Sequence, residues 1–206
     1  MPSKVERQFL NNFFSNNNLE YVLSDNRLVT MIMQSSDVPL LGFAALSGTG
    51  KTTLLTQLIP ILKRQGLRIG LIKHAHHDFD IDKPGKDSFR LREAGASPVL
   101  IVSDRRRAMI TEFSSEQEPA LKDQVCQFDQ AGLDLILVEG FKKERFPKIE
   151  LHRTELEQPL LYPNDPDIIA IATDDSGLQI PDYLTLLNIN QSEMIATFIL
   201  KFMGRA

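Results

Sequence analysis

The chain contains a single cysteine, and none of its apolar runs approaches the length of a membrane span. A lone Cys126 excludes an intrachain disulfide framework and fits a reducing compartment. A spanning helix needs about 20 consecutive apolar residues, and no stretch supplies them. A strong excess of one charge is also missing. The formal net charge is −4 over 206 residues, which argues against broad attraction to nucleic acid or to a membrane surface. The first residues carry Glu6 and an Asn-rich stretch (Asn11, Asn12, Asn16, Asn17, Asn18) in place of an apolar targeting segment. The expectation is a cytoplasmic protein, long enough to bury a substantial core in one domain.

What the chain does have is A-L-S-G-T-G-K-T-T from Ala45 to Thr53. A short apolar run precedes it, and an apolar-periodic stretch with Leu54, Leu55, Leu58, Ile61 and Leu62 follows. Strand, glycine loop and helix form the setting of a phosphate-binding P-loop. Small residues at Ser47, Gly48, Thr49 and Gly50 let backbone N–H groups turn toward a phosphate. The helix start at Lys51, Thr52 and Thr53 adds unpaired N–H groups and a positive dipole end. Lys51 reaches the terminal phosphates as a point charge, and Thr52 offers a hydroxyl to Mg²⁺. The first glycine of the usual pattern is Ala45, which fits only if its φ is negative.

From residue 38 onward apolar strand patterns alternate with helical ones. The strands are expected at Leu40–Ala45, Leu67–Ile72, Pro98–Val102, Ala108–Thr111, Leu133–Val138, Lys148–Leu151, Ile168–Thr173 and Leu184–Ile189. The helices are expected at Lys51–Arg64, Lys86–Ala94, Glu116–Gln130 and Gln191–Met203, with Gly66, Gly95, Gly132 and Gly204 at their stops. Pro60 should kink the first helix or end it early. This alternation argues an α/β fold, P-loop NTPase-like and three-layered, with a mixed, mostly parallel central sheet. The mixed character comes from the close pair Pro98–Val102 and Ala108–Thr111, which reads as an antiparallel hairpin. Residues 1–37 read as an N-terminal extension without site chemistry, and residues 38–206 as the nucleotide-binding domain.

Four further segments carry chemistry. L-D-L-I-L-V-E-G-F, Leu133 to Phe141, is a buried strand ending in Glu139, an acid suited to hold Mg²⁺ or its water beside the P-loop; Asp134, at the strand's start, is less suited. L-I-K-H-A-H-H-D-F-D-I-D-K-P-G-K-D-S, Leu71 to Ser88, gathers Lys73, His74, His76, His77, Asp78, Asp80, Asp82, Lys83 and Lys86 at a strand's C-terminal end, the edge where α/β sheets bind ligands. Its lysines suit phosphate, Asp82 or Asp78 suits Mg²⁺, and its histidines suit a transition metal, while a solvated charged loop accounts for the same residues. Arg105, Arg106 and Arg107 form a dense basic turn that can meet phosphates or an acidic partner, or simply be solvated. In I-A-I-A-T-D-D, Ile169 to Asp175, Asp174, with Asp175 in reserve, can accept guanine's N1–H and N2–H₂ together, whereas adenine lacks those donors. The alternative is a turn after a strand.

Taken together, A-x-S-G-T-G-K-T-T, L-I-K-H-x-H-H-D, D-x-D-K-P-G-K-D-S, A-G-A and L-D-L-I-L-V-E-G-F-K resemble the molybdopterin-guanine dinucleotide biosynthesis protein B family from about Pro39 to Met203. The resemblance implies a homodimeric, Mg²⁺-dependent GTP-binding protein with slow GTP hydrolysis, acting late in molybdenum cofactor synthesis. It also implies that a partner, the guanylyltransferase protein A, performs the nucleotidyl transfer. Carried onto this chain, Lys51 and Thr52 bind phosphate and metal, and Glu139 lies at the metal. The Lys73-to-Ser88 loop faces the nucleotide or molybdopterin. The competing readings are a GTPase metallochaperone, a P-loop small-molecule kinase, and an adaptor that binds nucleotide only as a switch.

Overall fold

The computed structural model describes residues 38–75, 79–115 and 118–205. The extension expected over residues 1–37 lies outside the described residues, as do His76, His77 and Asp78. In chain order the elements are β1 (Leu40–Ala45), α1 (Lys51–Arg64), β2 (Ile69–Lys73), α2 (Asp87–Glu93), β3 (Val99–Val102) and β4 (Arg107–Ile110). They continue with α3 (Leu121–Val125), β5 (Leu135–Glu139), β6 (Lys148–His152), β7 (Ile168–Thr173), β8 (Thr185–Asn188) and α4 (Ser192–Phe202). Residues 38–74 and 120–205 make one compact unit, and residues 75–119 make another.

The first unit is built on a six-stranded sheet in the order β2-β5-β1-β6-β7-β8, with every neighbouring pair parallel. Its central strands are apolar at consecutive positions, as strands covered on both faces must be. Leu41, Phe43 and Ala45 of β1 and Leu135 and Leu137 of β5 pack with Leu54, Leu55, Leu58 and Leu62 of α1 and Ile195, Ala196 and Ile199 of α4. The alternate residues Leu40, Ile136 and Val138 pack on the other face, with Ile72, with Leu121 and Val125 of α3, and with Phe141 and Phe146. The three layers therefore follow from the period-2 alternation of strands that are apolar on both sides.

At the sheet edge opposite the P-loop, the charged residues hold one another. Lys148 is buried and contacts Asp165 at 3.1 Å, while Arg145 Nε donates to the buried Asp167 at 2.6 Å. Asp134 accepts from the backbone and side chain of Arg68, both at 2.9 Å, and from Arg205 at 2.8 Å. Burial of Glu150 pushes its carboxyl up, and the N–H groups of Leu161 and Tyr162, at 2.7 and 2.9 Å, pull it back. These groups pin loops to strands.

In the second unit, β3 and β4 form an antiparallel pair from Val99↔Ile110 to Val102↔Arg107. The expected hairpin is therefore present as a two-stranded sheet of its own, and the mostly parallel central sheet contains only parallel pairs. Arg92 Nη1 donates to Glu112 at 2.6 Å and its Nη2 to Asp80, tying the start of the unit to the end of the hairpin. No described residue of residues 75–119 is buried.

Three expectations change. Over the described part of the helix expected at Glu116–Gln130, the α-helix reduces to α3, Leu121–Val125. Pro119 disfavours helix in the residue before it, and only Leu121 and Val125, one turn apart, are buried in the core. Gly132 lies in a 3-10 turn, Gln130–Gly132, and stops no α-helix. Of the two outcomes expected at Pro60, an early helix end does not occur: α1 runs to Arg64, the expected bound, with Pro60 on its exposed side.

Candidate functional site

β1 ends at Ala45, and the chain turns through Leu46–Gly50 into α1. Gly48 and Gly50 take φ of 83° and 89°, a region that side chains rarely adopt, and this lets the loop wrap inward before the helix. Among the described residues only Phe141 and Glu157 are non-glycines with positive φ, so Ala45 meets its condition. Thr49 is buried and its hydroxyl donates to Leu46 O at 2.8 Å, bracing the loop from inside. Ser47, Gly48, Thr52 and Thr53 are exposed. Gly50 caps α1 without a side-chain acceptor, so the first-turn N–H groups are available to an anion.

Glu139 closes β5, the strand beside β1, and its register partners are Phe43 of β1 and Lys73 of β2. Parallel pairing thus brings the last residues of β2 and β5 together at one edge, beside the end of β1. The Glu139 carboxylate stands between two ammonium groups, 3.8 Å from Lys51 Nζ and 3.5 Å from Lys73 Nζ. Burial lowers the Lys51 pKa from the ordinary lysine value, and the Glu139 charge works against that shift. Behind Glu139 the chain must turn sharply. Gly140 has φ 93°, and a Cβ there would stand 2.6 Å from the His74 Cβ. His74 donates its backbone N–H to Glu139 O at 2.8 Å, and its ring lies 4.9 Å from that of Phe141. His74 is therefore held against the strand end.

Asp174 follows β7 on the far side of β1. Its Oδ1 accepts from Thr154 N and Thr154 Oγ1, both at 3.0 Å, and its Oδ2 faces Arg153 Nη1 at 3.4 Å. The Thr154 N–H is the main cause holding the Asp174 carboxyl below its usual range. Two side chains that no motif pointed to complete this edge. Arg153, just after β6, also donates to Asn190 Oδ1 at 3.1 Å, and its Nε lies 4.0 Å from where a Gly50 Cβ would stand. Gln158 Nε2 donates to Ser47 O at 3.2 Å, across 111 residues of sequence. Nothing in the spacing of either residue signals these contacts; they arise from β6 lying beside β1.

The remaining residues singled out belong to the second unit and are described there. Asp82 Oδ1 accepts from Lys83 N at 2.9 Å and from the Ser88 hydroxyl at 3.1 Å. Lys83–Lys86 closes a turn through Pro84 and Gly85, with Lys86 N donating to Lys83 O at 3.2 Å and Gly85 at φ 87°. K-P-G-K is thus a type II-like turn, with proline and glycine at its second and third positions. Arg105 and Arg106 sit at the hairpin tip, their N–H groups donating to Ser103 Oγ. Among the described residues no three His, Cys, Asp or Glu side chains gather as a metal cage.

Comparison with known proteins agrees with this geometry. The family described as Molybdopterin guanine dinucleotide synthesis protein B matches residues 40–174. A molybdopterin-guanine dinucleotide biosynthesis adapter protein of Escherichia coli (strain K12) is 48% identical over 169 residues, covering 82% of this chain and 95% of the relative. The adapter protein of that name from Haemophilus influenzae is 46% identical over 171 residues, 82% and 92% of the two chains. A crystal structure of molybdopterin-guanine biosynthesis protein B superimposes with a TM-score of 0.59 at 28% identity, covering 79% of this chain and 98% of that one. From the strand-ending Glu139 to the helix-capping P-loop, the chain is a member of the molybdopterin guanine dinucleotide synthesis protein B family.

Proposed function

We propose that this chain is a GTP-binding adapter in molybdopterin guanine dinucleotide biosynthesis, working beside a guanylyltransferase partner, protein A of the pathway. The observation that carries the reading is the one edge where the capped start of α1, Lys51, Lys73 and Glu139 meet. It is supported by 48% identity to a relative bearing the adapter name. The donor set fits Mg²⁺, which prefers hard oxygen ligands and keeps waters and phosphate oxygens in its shell. Thr52 would offer its hydroxyl and Glu139 its carboxylate, and the ion would neutralise charge on the phosphate oxygens. Lys51 binds the terminal phosphates, and Lys73 adds a second positive charge at the same acid.

The loop chemistry suits a triphosphate held by its β and γ groups. Transfer of GMP needs attack at the α-phosphate with an acceptor phosphate placed in line, and no second anion site of like quality is evident among the described residues of this unit. GTP hydrolysis is slow in this reading, because no motif assigns a cis arginine finger or a water-positioning glutamine, and Gln158 Nε2 is already bonded to Ser47 O. The stretch from Lys73 onward serves the nucleotide or molybdopterin. The working form is a homodimer, supported by a second unit whose apolar side chains are left uncovered.

The test mixes the pure protein with GTP, Mg²⁺ and metal-loaded molybdopterin, with and without the guanylyltransferase. Dinucleotide that needs the partner, and that rises when this protein is added, is expected. Rapid product without the partner contradicts the adapter role.

A further inference from the structure

We infer that Arg153 reads the guanine base alongside Asp174, donating to O6. This rests on the GTP reading above and deepens it. The inference comes from matching donors to acceptors. An ionised carboxylate has about four acceptor places. On Asp174, Oδ1 is filled by the N–H and hydroxyl of Thr154, and Oδ2 already faces Arg153 Nη1. One place remains, on Oδ2. Asp174 therefore accepts one guanine donor, N1–H or N2–H₂, and cannot take both while Thr154 holds it. An ionised carboxylate has no donor, so O6 stays unpaired however many guanine N–H groups Asp174 accepts, and a buried unpaired acceptor costs affinity.

Arg153 supplies the missing donor. Its Nη1 lies beside Asp174, its Nη2 on Asn190 and its Nε toward Gly50, so the guanidinium stands between the P-loop and Asp174. The two hydrogen-bonded anchors lie just past the ends of β7 and β8, and they hold the fork before any base arrives. Guanidinium has five N–H donors and no acceptor. It matches guanine's O6 and meets adenine's N6–H₂ donor against donor, the same preference that makes arginine the usual partner of guanine in nucleic-acid recognition. Arg153 and Asp174 together thus present a donor beside an acceptor, the complement of guanine's edge and the reverse of adenine's.

The test is titration of wild type, Arg153→Met and Lys51→Ala with GTP, ITP, ATP and 2,6-diaminopurine riboside triphosphate, Mg²⁺ present. Arg153→Met is expected to lose about tenfold in GTP and in ITP, which both keep O6. ATP and the diaminopurine nucleotide, which carry N6–H₂ there, should hold or tighten. An equal fall for all four nucleotides overturns the inference, because it means Arg153 serves the phosphates. A fall for GTP and the diaminopurine nucleotide with ATP held overturns it too, because Arg153 then only orients Asp174. No change in any affinity overturns it outright. Retained ATP binding shows that the variant is folded; should Arg153→Met not fold, Arg153→Lys is read the same way and a reduced GTP-to-ATP preference is expected. If wild type shows no Lys51-dependent binding, the P-loop reading itself fails, which is a different result from selectivity that ignores Arg153.

Discussion

Asp134 and Glu139 bracket the same strand and serve opposite purposes. Glu139 ends β5 among ammonium groups at the C-terminal edge of the sheet, whereas Asp134 precedes β5 at the other edge and is consumed by structure. The Arg68 side chain, then the Arg68 N–H and Arg205, hold the Asp134 carboxyl well below the ordinary carboxylate range. A carboxyl whose folded pKa is depressed stabilises the fold above its unfolded pKa, near 4, and loses that contribution as pH falls toward the folded value. Asp134→Asn is therefore expected to be less stable than wild type at pH 7 in urea unfolding. That gap should narrow steadily as the pH drops below about 4. A gap of constant size from pH 7 to pH 3 would show that the carboxylate's charge contributes nothing.

At the scale of elements, α1 was legible to the residue, because Gly50 caps it and apolar residues recur on one face up to Leu62. β1 and β7 were legible for the same kind of reason: their apolar runs stop at the loop residues that follow. The helix expected over Glu116–Gln130 was not, since its polarity pattern carries no mark of where burial stops, and only Leu121 and Val125 find a core. The β3–β4 hairpin was legible as a pair but not as a separate sheet, because pairing is local whereas membership in a sheet depends on distant strands. That hairpin has a consequence. A two-stranded sheet is marginal alone in water, and Leu100, Val102, Met109 and Phe113 of this unit are each more than half exposed. A second copy covering them is expected, so sedimentation of the full chain should give a dimer at micromolar concentration. A monomer throughout that range, with the chain folded, would contradict the homodimer.

Across the whole molecule, the parallel sheet is what turns scattered motifs into a site. Ala45, Glu139, Lys73, Arg153 and Asp174 are far apart in the chain, and β2-β5-β1-β6-β7 order sets each at or just past a C-terminal strand end, the edge where open α/β sheets bind ligands. The P-loop and Glu139 were readable because their residue types sit in a fixed local order. Arg153 and Gln158 were not, because an arginine after a strand and a glutamine in a loop have no pattern until β6 is known to lie beside β1. The central claim is that this edge holds a guanine nucleotide by its phosphates, and titration of GTP and ATP against wild type and Lys51→Ala tests it most directly. With Mg²⁺ present, GTP should bind more tightly than ATP, and loss of the Lys51 charge should weaken GTP by about ten- to a hundredfold, the worth of a charge-assisted contact. Equal affinity of folded Lys51→Ala and wild type for GTP would contradict the account.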